Sequence, residues 1–180
     1  MIASFCIGLI FGSFTNVIIH RLPEEALKED AASRLGKGLL RLIWPRSFCL
    51  ACGGGIAAYD NIPVLSYLFL RGKCRKCRAP ISPRYPVVEC LMGLLFLAAH
   101  IRFGLNLELL IRDWPFLVLM VAITFIDLQH RIIPDILNLI GVILAIATAG
   151  MAAEVGYLNA AIGAGLGFGL FYFFAKAYEL

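Results

Sequence analysis

The chain has 180 residues and a mass of 19.8 kDa, with 61% hydrophobic and only 16% charged residues and a mean hydropathy of +0.85. A soluble domain is typically about 45–50% apolar and about 25% charged, so a soluble monomer of this composition would expose too much apolar surface to water. The same composition excludes a disordered chain, and six cysteines are too few for a small secreted disulfide scaffold. The net charge is only +4. The composition therefore predicts a polytopic membrane protein with a modest polar domain.

Five apolar runs predict membrane-spanning helices. The runs are Met1–Ile19, Val87–Ile101, Trp114–Ile126, Ile136–Ala153 and Val155–Ala175. The first run has no basic residues ahead of its apolar core, so it is interpreted as a retained helix and not as a signal peptide. The third run is short for a span, and its helix is expected to begin near Leu107 and to place Arg112 and Asp113 at the headgroups. A tight turn over Glu154–Tyr157 is expected to join the last two spans.

The basic residues predict the orientation of the chain. Twelve of the 16 Lys and Arg residues lie between Arg21 and Arg84. If the five spans alternate, two more fall on the same side, and only Arg102 and Arg112 fall on the other. Because loops rich in Lys and Arg stay in the cytoplasm, we expect the N terminus outside the cell, and the Arg21–Arg84 segment and the C terminus inside.

A polar segment, about His20–Pro86, predicts one small cytoplasmic domain between the first and second spans. Its first part, Glu24–Ile43, has a helix-forming composition. This stretch is interpreted either as a helix along the membrane surface or as a solvated linker helix. The chain thus divides into a transmembrane helix at 1–19, this cytoplasmic domain at 20–86 and transmembrane helices 2–5 at 87–180, which makes the predicted fold an all-α membrane protein with one inserted domain.

Two CxxC motifs in the polar domain predict its metal centre. Cys49 and Cys52 are followed, after 21 intervening residues, by Cys74 and Cys77. This arrangement is typical of a structural zinc site in which four cysteines surround the ion tetrahedrally, and neighbouring Lys and Arg residues are expected to offset part of the thiolate charge. Two disulfides are the alternative, which the expected cytoplasmic location disfavours. Ligand type alone does not separate zinc from iron.

Three acidic residues within or beside the predicted spans are candidate functional residues, because an ionisable group is costly there. Glu89 lies near the start of the second span, and Asp127 ends the third. Asp135 opens the fourth span directly after a proline. Each has a structural alternative: Asp135 is also an ordinary helix start, Asp127 is placed to pair with a basic residue, and Glu89 is placed to face interfacial water.

The last predicted span contains several small residues, which predict close helix packing. These residues are Gly163, Gly165, Gly167 and Gly169.

The motifs together resemble those of the type IV prepilin peptidase family, which also processes type II secretion pseudopilins. The resemblance rests on Gly12–Pro23, on the stretch Cys49–Glu89 with both CxxC motifs, and on Ile126–Asp135. It covers nearly the whole chain, and so long an ordered set of motifs is specific.

The resemblance implies a multi-pass aspartic endopeptidase of the bacterial inner membrane. Such an enzyme removes the leader of a prepilin on the cytoplasmic face, after a glycine, and members with four cysteines often then methylate the new N terminus with S-adenosylmethionine. By motif match, Asp127 is the first catalytic aspartate, and Cys49, Cys52, Cys74 and Cys77 are the metal ligands. The implied partners are prepilins or pseudopilins and the lipid bilayer, with no nucleic acid.

The sequence departs from the family pattern at the second catalytic aspartate. The family carries it in a GxGD motif after the span that ends here near Ala175, and no GxGD occurs in the 180 residues. Peptide hydrolysis by carboxyl groups needs one ionised and one protonated acid held close together. We therefore expect a truncated chain that is inactive as it stands, with Asp135 and Glu89 as weaker candidates for the partner of Asp127.

Two other functions remain open at this point. One is a non-proteolytic membrane zinc protein that scaffolds pilus or secretion assembly. The other is a chain that keeps only the methyl transfer. No Gly-rich nucleotide fingerprint is present, so the sequence does not predict which residues bind the methyl donor.

Overall fold

The computed structural model describes residues 1–26, 47–151 and 156–178, and the described chain is mostly helical. Its helices are α1 (Ile2–Ala26), α2 (Leu65–Phe69), α3 (Arg84–Phe103), α4 (Trp114–His130), α5 (Asp135–Thr148) and α6 (Gly156–Tyr178). A 3-10 turn, Ala58–Asn61, precedes α2, and a π-helical turn, Leu109–Asp113, precedes α4. Two isolated antiparallel bridges are the only strand-like pairing in these ranges. The predicted all-α architecture with an inserted domain is confirmed.

Four helical segments within the described ranges are long and apolar enough to cross a bilayer. They are Ile2–Pro23, Arg84–Phe103, Leu109–His130 and Gly156–Tyr178. The third becomes helical at Leu107, as the sequence predicts, and the side chain of Asn106 accepts a hydrogen bond from the N–H of Leu109 at 2.7 Å. This bond satisfies one of the free N–H groups at the start of the helix.

The fourth predicted span is shorter than expected. Helix α5 has 14 residues, which rise only about 21 Å at 1.5 Å per residue, less than the roughly 30 Å of a hydrocarbon core. It ends at a turn that contains Gly150, where an added Cβ would lie 2.8 Å from the Tyr157 hydroxyl. The described chain therefore has four helices of spanning length and one shorter apolar helix, in place of the five predicted spans.

Two other predictions concern segment boundaries. Helix α1 continues past Ile19 to Ala26, so the predicted start of the polar domain at His20 lies inside a helix. The proposed surface helix Glu24–Ile43 falls outside the described residues apart from its first three positions, and the predicted turn over Glu154–Tyr157 is outside them up to residue 155.

Helices α1 and α3 form an antiparallel pair with unusually close backbones. A Cβ added at Gly8 would lie 2.7 Å from the Cα of Gly93, and one added at Gly12 would lie 2.6 Å from the Cα of Glu89. Small residues four apart allow helix backbones to approach in this way. The helix pair is therefore held together along a stripe of small residues on α1.

Hydrogen bonds flank this close approach at both ends of the pair. The Ser4 hydroxyl shares a hydrogen bond with His100 Nδ1 at 2.6 Å, and the Asn16 side-chain amide donates to the Tyr85 carbonyl at 3.0 Å. Because these hydrogen bonds run between the helices, the groups that make them face each other and not lipid.

An aromatic cluster joins α4 to this pair. Phe96 of α3 is fully buried, and its ring stacks on Trp114 at the start of α4, with ring centroids 4.6 Å apart. Phe11 of α1 also packs on Phe96, with centroids 5.5 Å apart. The hydrophobic core thus lies where α1, α3 and α4 meet.

Helix α6 differs from the other long helices, because none of its residues is buried against the described chain. The four glycines predicted to mediate packing there, Gly163 to Gly169, have open space: an added Cβ would meet no described atom within 4 Å. The close glycine-mediated packing predicted for the last span occurs instead at Gly8, Gly12 and Gly93.

We predict that Gly12→Ala destabilises the helix bundle by about 1–3 kcal/mol, because the new methyl group has no room against α3. The matched control is Gly165→Ala, which adds the same atom in open space and should leave the bundle unchanged or stabilise it by up to about 1 kcal/mol through helix propensity. Thermal unfolding of both variants in detergent measures the difference. Equal unfolding temperatures would show that α1 and α3 are not in close contact.

Candidate functional site

The two CxxC motifs form a pair of matching turns. In the first, the Cys49 N–H donates to the Gly54 carbonyl at 2.9 Å, and the Gly53 N–H donates to the Cys49 carbonyl at 2.8 Å. In the second, the Cys74 N–H donates to the Ala79 carbonyl at 2.8 Å, and the N–H four residues after Cys74 donates back to the Cys74 carbonyl at 3.0 Å. Each turn points two thiol groups to one side, so a pair of them can surround one ion.

The similarity between the two CxxC turns extends beyond the cysteines. The Ile56 N–H donates to the Ser47 carbonyl at 2.9 Å, and the Ile81 N–H donates to the Gly72 carbonyl at 2.7 Å. Residues 47–56 and 72–81 are therefore one structural unit used twice, and residues 47–81 are called the four-cysteine domain below. The sequence carries a signal of this repeat, because the two ten-residue segments have cysteine and isoleucine at the same positions. The CxxC spacing alone does not reveal the repeat.

The four thiol groups come together. The Sγ atoms of Cys49, Cys52, Cys74 and Cys77 all lie within 4.8 Å of one another, and those of Cys49 and Cys77 are 3.8 Å apart. Ligands about 2.3 Å from a tetrahedral zinc ion are about 3.8 Å from each other. All four cysteines are free thiols and not disulfides. The cluster therefore has the donor set and the spacing to hold one metal ion.

The local backbone favours the thiolate form at one of these ligands. The N–H groups of Cys77 and then of Lys76 lower the pKa of Cys74 to about 7. At Cys77 the N–H of Ala79 has the same effect, but desolvation and the hydrogen bonds of the other thiols outweigh it and raise the pKa of Cys77 to about 11. A bound cation would replace the protons that remain on the cluster, so metal binding releases protons and weakens as the pH falls.

Basic residues near the cluster have different roles. Arg75 was expected to offset the thiolate charge, but its guanidinium donates two hydrogen bonds to Asp60, at 2.6 and 2.8 Å. This pair ties the 3-10 turn to the second CxxC turn, and the hydrogen bonds from Arg75 hold the pKa of Asp60 below its usual value. Lys76 instead lies over the first CxxC turn, beside Gly54, where its charge favours thiolates.

Glu89 connects the helix pair to the four-cysteine domain. It is buried, at 7% exposure, and its carboxylate accepts a hydrogen bond from the Val64 N–H at 2.7 Å and another from Ser13. Val64 has a φ of +61°, which is rare for a β-branched residue. The hydrogen bond that Val64 donates to Glu89 holds this strained residue just before α2, so Glu89 faces the four-cysteine domain.

Asp127 lies in the last turn of α4 and is exposed. The helix ends there because Arg131 has a φ of +54° and donates its N–H to the Asp127 carbonyl at 2.8 Å. Asp135 is exposed at the start of α5. Within the described part of the chain, no hydrogen bond joins the Asp127 carboxyl group to either Asp135 or Glu89.

One contact places Asp127 relative to the four-cysteine domain. Arg84, the first residue of α3, donates a hydrogen bond to the side chain of Gln129. The end of α4 that carries Asp127 is therefore on the same side of the bundle as the start of α3, where the four-cysteine domain is attached. Sequence reasoning did not find this contact, because its partners are 45 residues apart.

Two family models match the chain and together account for most of it. The bacterial peptidase A24 N-terminal domain matches residues 6–103, and the type IV leader peptidase family matches residues 114–179. The chain belongs to the bacterial type IV leader peptidase family. The first match contains all four clustered cysteines and Glu89, and the second contains Asp127 and Asp135.

Curated relatives agree with this family assignment. The chain is 43% identical over 167 residues to a prepilin leader peptidase/N-methyltransferase of Myxococcus xanthus, covering 91% of this chain and 44% of that protein. Proteins of the same name from Aeromonas hydrophila and Klebsiella pneumoniae are 38% and 39% identical, with 86% of this chain covered and 60% and 69% of the relative. The chain spans about half the length of the first of these relatives. No solved structure matches it.

We predict that Gly53→Ala weakens the metal site, because Gly53 has a φ of +65° and a side chain there costs about 1–2 kcal/mol. The matched control is Gly55→Ala. Gly55 also has open space around an added Cβ but does not have a positive φ. The rate at which a chelator removes metal from the purified protein should rise at least fivefold for Gly53→Ala and stay unchanged for Gly55→Ala. Equal rates for the two variants would contradict the turn geometry.

Proposed function

We propose that this protein removes the leader peptides of prepilins and pseudopilins as an aspartic endopeptidase, and that N-methylation of the new N terminus accompanies the cleavage. The observation that carries the proposal is the family match over residues 114–179, which includes Asp127. The names of the relatives support both activities. Because the chain covers only part of those relatives, the activity is proposed for the protein that contains this chain.

Asp127 is proposed as one of two catalytic carboxyl groups. Its exposure at the end of α4 leaves the carboxyl group accessible to a peptide that reaches this face of the bundle. Hydrolysis requires a second acid beside it, since one carboxylate activates water while its protonated partner polarises the scissile carbonyl. The resemblance places that partner in a GxGD motif, which the 180 residues do not contain.

Zinc is proposed as the metal of the four-cysteine cluster, with a structural role. All four positions are taken by thiolates, which leaves no open coordination site for a reacting group. The ion would join the two matching turns, and through Asp60 and Arg75 it would also stabilise the 3-10 turn. A domain of this size has little core of its own, so metal binding supplies much of its folding free energy.

The face that carries the four-cysteine domain is proposed to be cytoplasmic, in the inner membrane of a bacterium. Lys and Arg are concentrated in the segment between the first two spans, and such loops remain inside. The contact between Arg84 and Gln129 brings Asp127 to this same face. Leader cleavage on the cytoplasmic side follows from that arrangement.

The orientation is tested by labelling one introduced cysteine at a time with a membrane-impermeant maleimide in intact cells. The chain has Cys6 and Cys90 replaced by alanine, and peptide mapping separates the label on the introduced cysteine from any label on the four clustered cysteines. Arg102→Cys, at the far end of α3, should react from outside, and Ser82→Cys, just before α3, should react only after the cells are opened. The opposite pattern would place the four-cysteine domain outside the cell.

We predict that Asp127→Asn abolishes leader cleavage in a chain extended by the C-terminal part of the Klebsiella pneumoniae relative, which should supply the second aspartate. Asparagine keeps the shape of the aspartate side chain, but its amide group cannot take up or release the proton that hydrolysis transfers. Cleavage of a prepilin should fall by about a hundredfold to ten-thousandfold, while elemental analysis still finds one zinc per chain. Asp135→Asn is the matched control and should reduce cleavage little, since its expected contribution is a helix-end charge worth about 1 kcal/mol or less.

The 180-residue chain by itself should bind zinc and fail to cleave. Cleavage by this chain that is lost in Asp135→Asn would show that Asp127 and Asp135 form the carboxyl pair. Iron in place of zinc in the purified protein would contradict the proposed metal.

A further inference from the structure

One face of the short helix α2 carries only exposed apolar side chains. Leu65, Leu68 and Phe69 occupy positions i, i+3 and i+4 of this helix, so they lie on the same face. Leu68 is 63% exposed and Phe69 is 83% exposed. The opposite face is turned inward, because Tyr67 and Leu70 line the cavity between the four-cysteine domain and the helix pair. The three exposed side chains are called the apolar face of α2 below, and a cluster of this kind marks an interaction site.

A hydrogen bond places α2 at the level of a membrane-spanning helix. Helix α2 begins directly after Val64, whose N–H donates to the Glu89 carboxylate at 2.7 Å. Glu89 lies five residues after Arg84, the first residue of the spanning helix α3, which is about 7–8 Å along the helix axis. The start of α2 is therefore level with the first turns of a span. An interfacial helix places its apolar face about 5–10 Å into the boundary between headgroups and acyl chains, which is this same depth.

Two cations follow α2 directly. The backbone N–H groups of Arg71 and Lys73 donate to carbonyl groups at the end of α2, at 3.0 and 3.1 Å, so both residues stay beside the helix. Both are exposed, and neither forms an ion pair within the part of the chain that the structure describes. Asp60 is the only acidic residue between positions 47 and 81, and it is paired with Arg75. The end of α2 is thus positively charged and complements an anionic surface.

A lipid surface fits these observations better than a second protein. A stable protein interface buries about 800 Å² on each partner, which is more than three side chains of a five-residue helix supply. Lipid is present wherever α3 crosses the membrane, and the cytoplasmic leaflet carries anionic headgroups that attract Lys and Arg. Leucine and phenylalanine suit the apolar side of the same boundary.

We infer that α2 rests on the membrane, with its apolar face among the upper acyl chains and with Arg71 and Lys73 on the headgroups of anionic lipids. This contact goes beyond the proposed leader cleavage and requires only that α3 spans the bilayer. The lipid contact would help to hold the four-cysteine domain on the face of the bundle that carries Asp127.

The test places the photoreactive amino acid benzoylphenylalanine at position 69 of the 180-residue chain. Because Phe69 is exposed, the larger ring is tolerated there. The zinc-loaded chain is reconstituted into vesicles of equimolar phosphatidylglycerol and phosphatidylcholine and irradiated, and mass spectrometry should find lipid adducts. The matched control carries the same amino acid at position 67, because Tyr67 lies on the inward face, and its adduct yield should be at least about fivefold lower. Zinc content reports folding in every variant.

The headgroups of the adducts test the two cations and need no second labelling position. At position 69, phosphatidylglycerol should be recovered roughly two- to fivefold more often than phosphatidylcholine, because each Lys or Arg near the surface attracts anionic lipid. Arg71→Gln combined with Lys73→Gln should bring the two lipids to equal recovery, because glutamine is uncharged.

Lipid adducts at position 69 that favour phosphatidylglycerol support the inference. The absence of lipid adducts on a zinc-loaded chain would overturn it, as would equal yields at positions 67 and 69. Cross-links between two copies of the chain, in place of lipid adducts, would also overturn it and would assign the apolar face of α2 to a dimer. A phosphatidylglycerol preference that survives Arg71→Gln with Lys73→Gln would contradict the role given to the two cations.

Discussion

The close contact between α1 and α3 is the constraint on which the rest of the structure depends. Along α1, contacts to α3 recur at every fourth residue: Ser4, Gly8, Gly12 and Asn16. Lipid gives apolar helices no hydrophobic reason to associate, so backbone contact and buried hydrogen bonds must provide the attraction. The glycines supply the contact in the middle, and the polar residues supply hydrogen bonds at the two ends.

This contact also determines where the polar domain sits. At the end of the pair nearest the four-cysteine domain, the Cα of Glu89 lies against Gly12, and the Glu89 carboxylate accepts a hydrogen bond from the Val64 N–H. At the same end, Asn16 holds the start of α3 by donating to the Tyr85 carbonyl. The four-cysteine domain is thus fixed to the helix pair by groups that the close approach brings into line.

The sequence predicted the parts of this structure that depend on local spacing. Two CxxC motifs can place four thiols around one point because each turn orients its own pair of sulfur atoms. The start of the third span at Leu107 followed from the length that a span requires. Packing was harder to predict. The glycines of α6 and the pair Gly8 and Gly12 have similar spacing along their helices. Only Gly8 and Gly12 face another helix in the described chain. Contacts such as Asp60 with Arg75 join distant residues and leave no periodic signal.

Oxidative cross-linking of α1 to α3 tests the central claim most directly. In a chain whose Cys6 and Cys90 are replaced by alanine, Ser4→Cys combined with His100→Cys should form a disulfide that mass spectrometry detects as a linked peptide pair, because the native side chains are in hydrogen-bond contact. Ser4→Cys combined with Ile101→Cys is the control and should give little product, since Ile101 is mostly exposed and outside the contact between the helices. Equal yields from the two pairs, or no product from the first, would contradict the account.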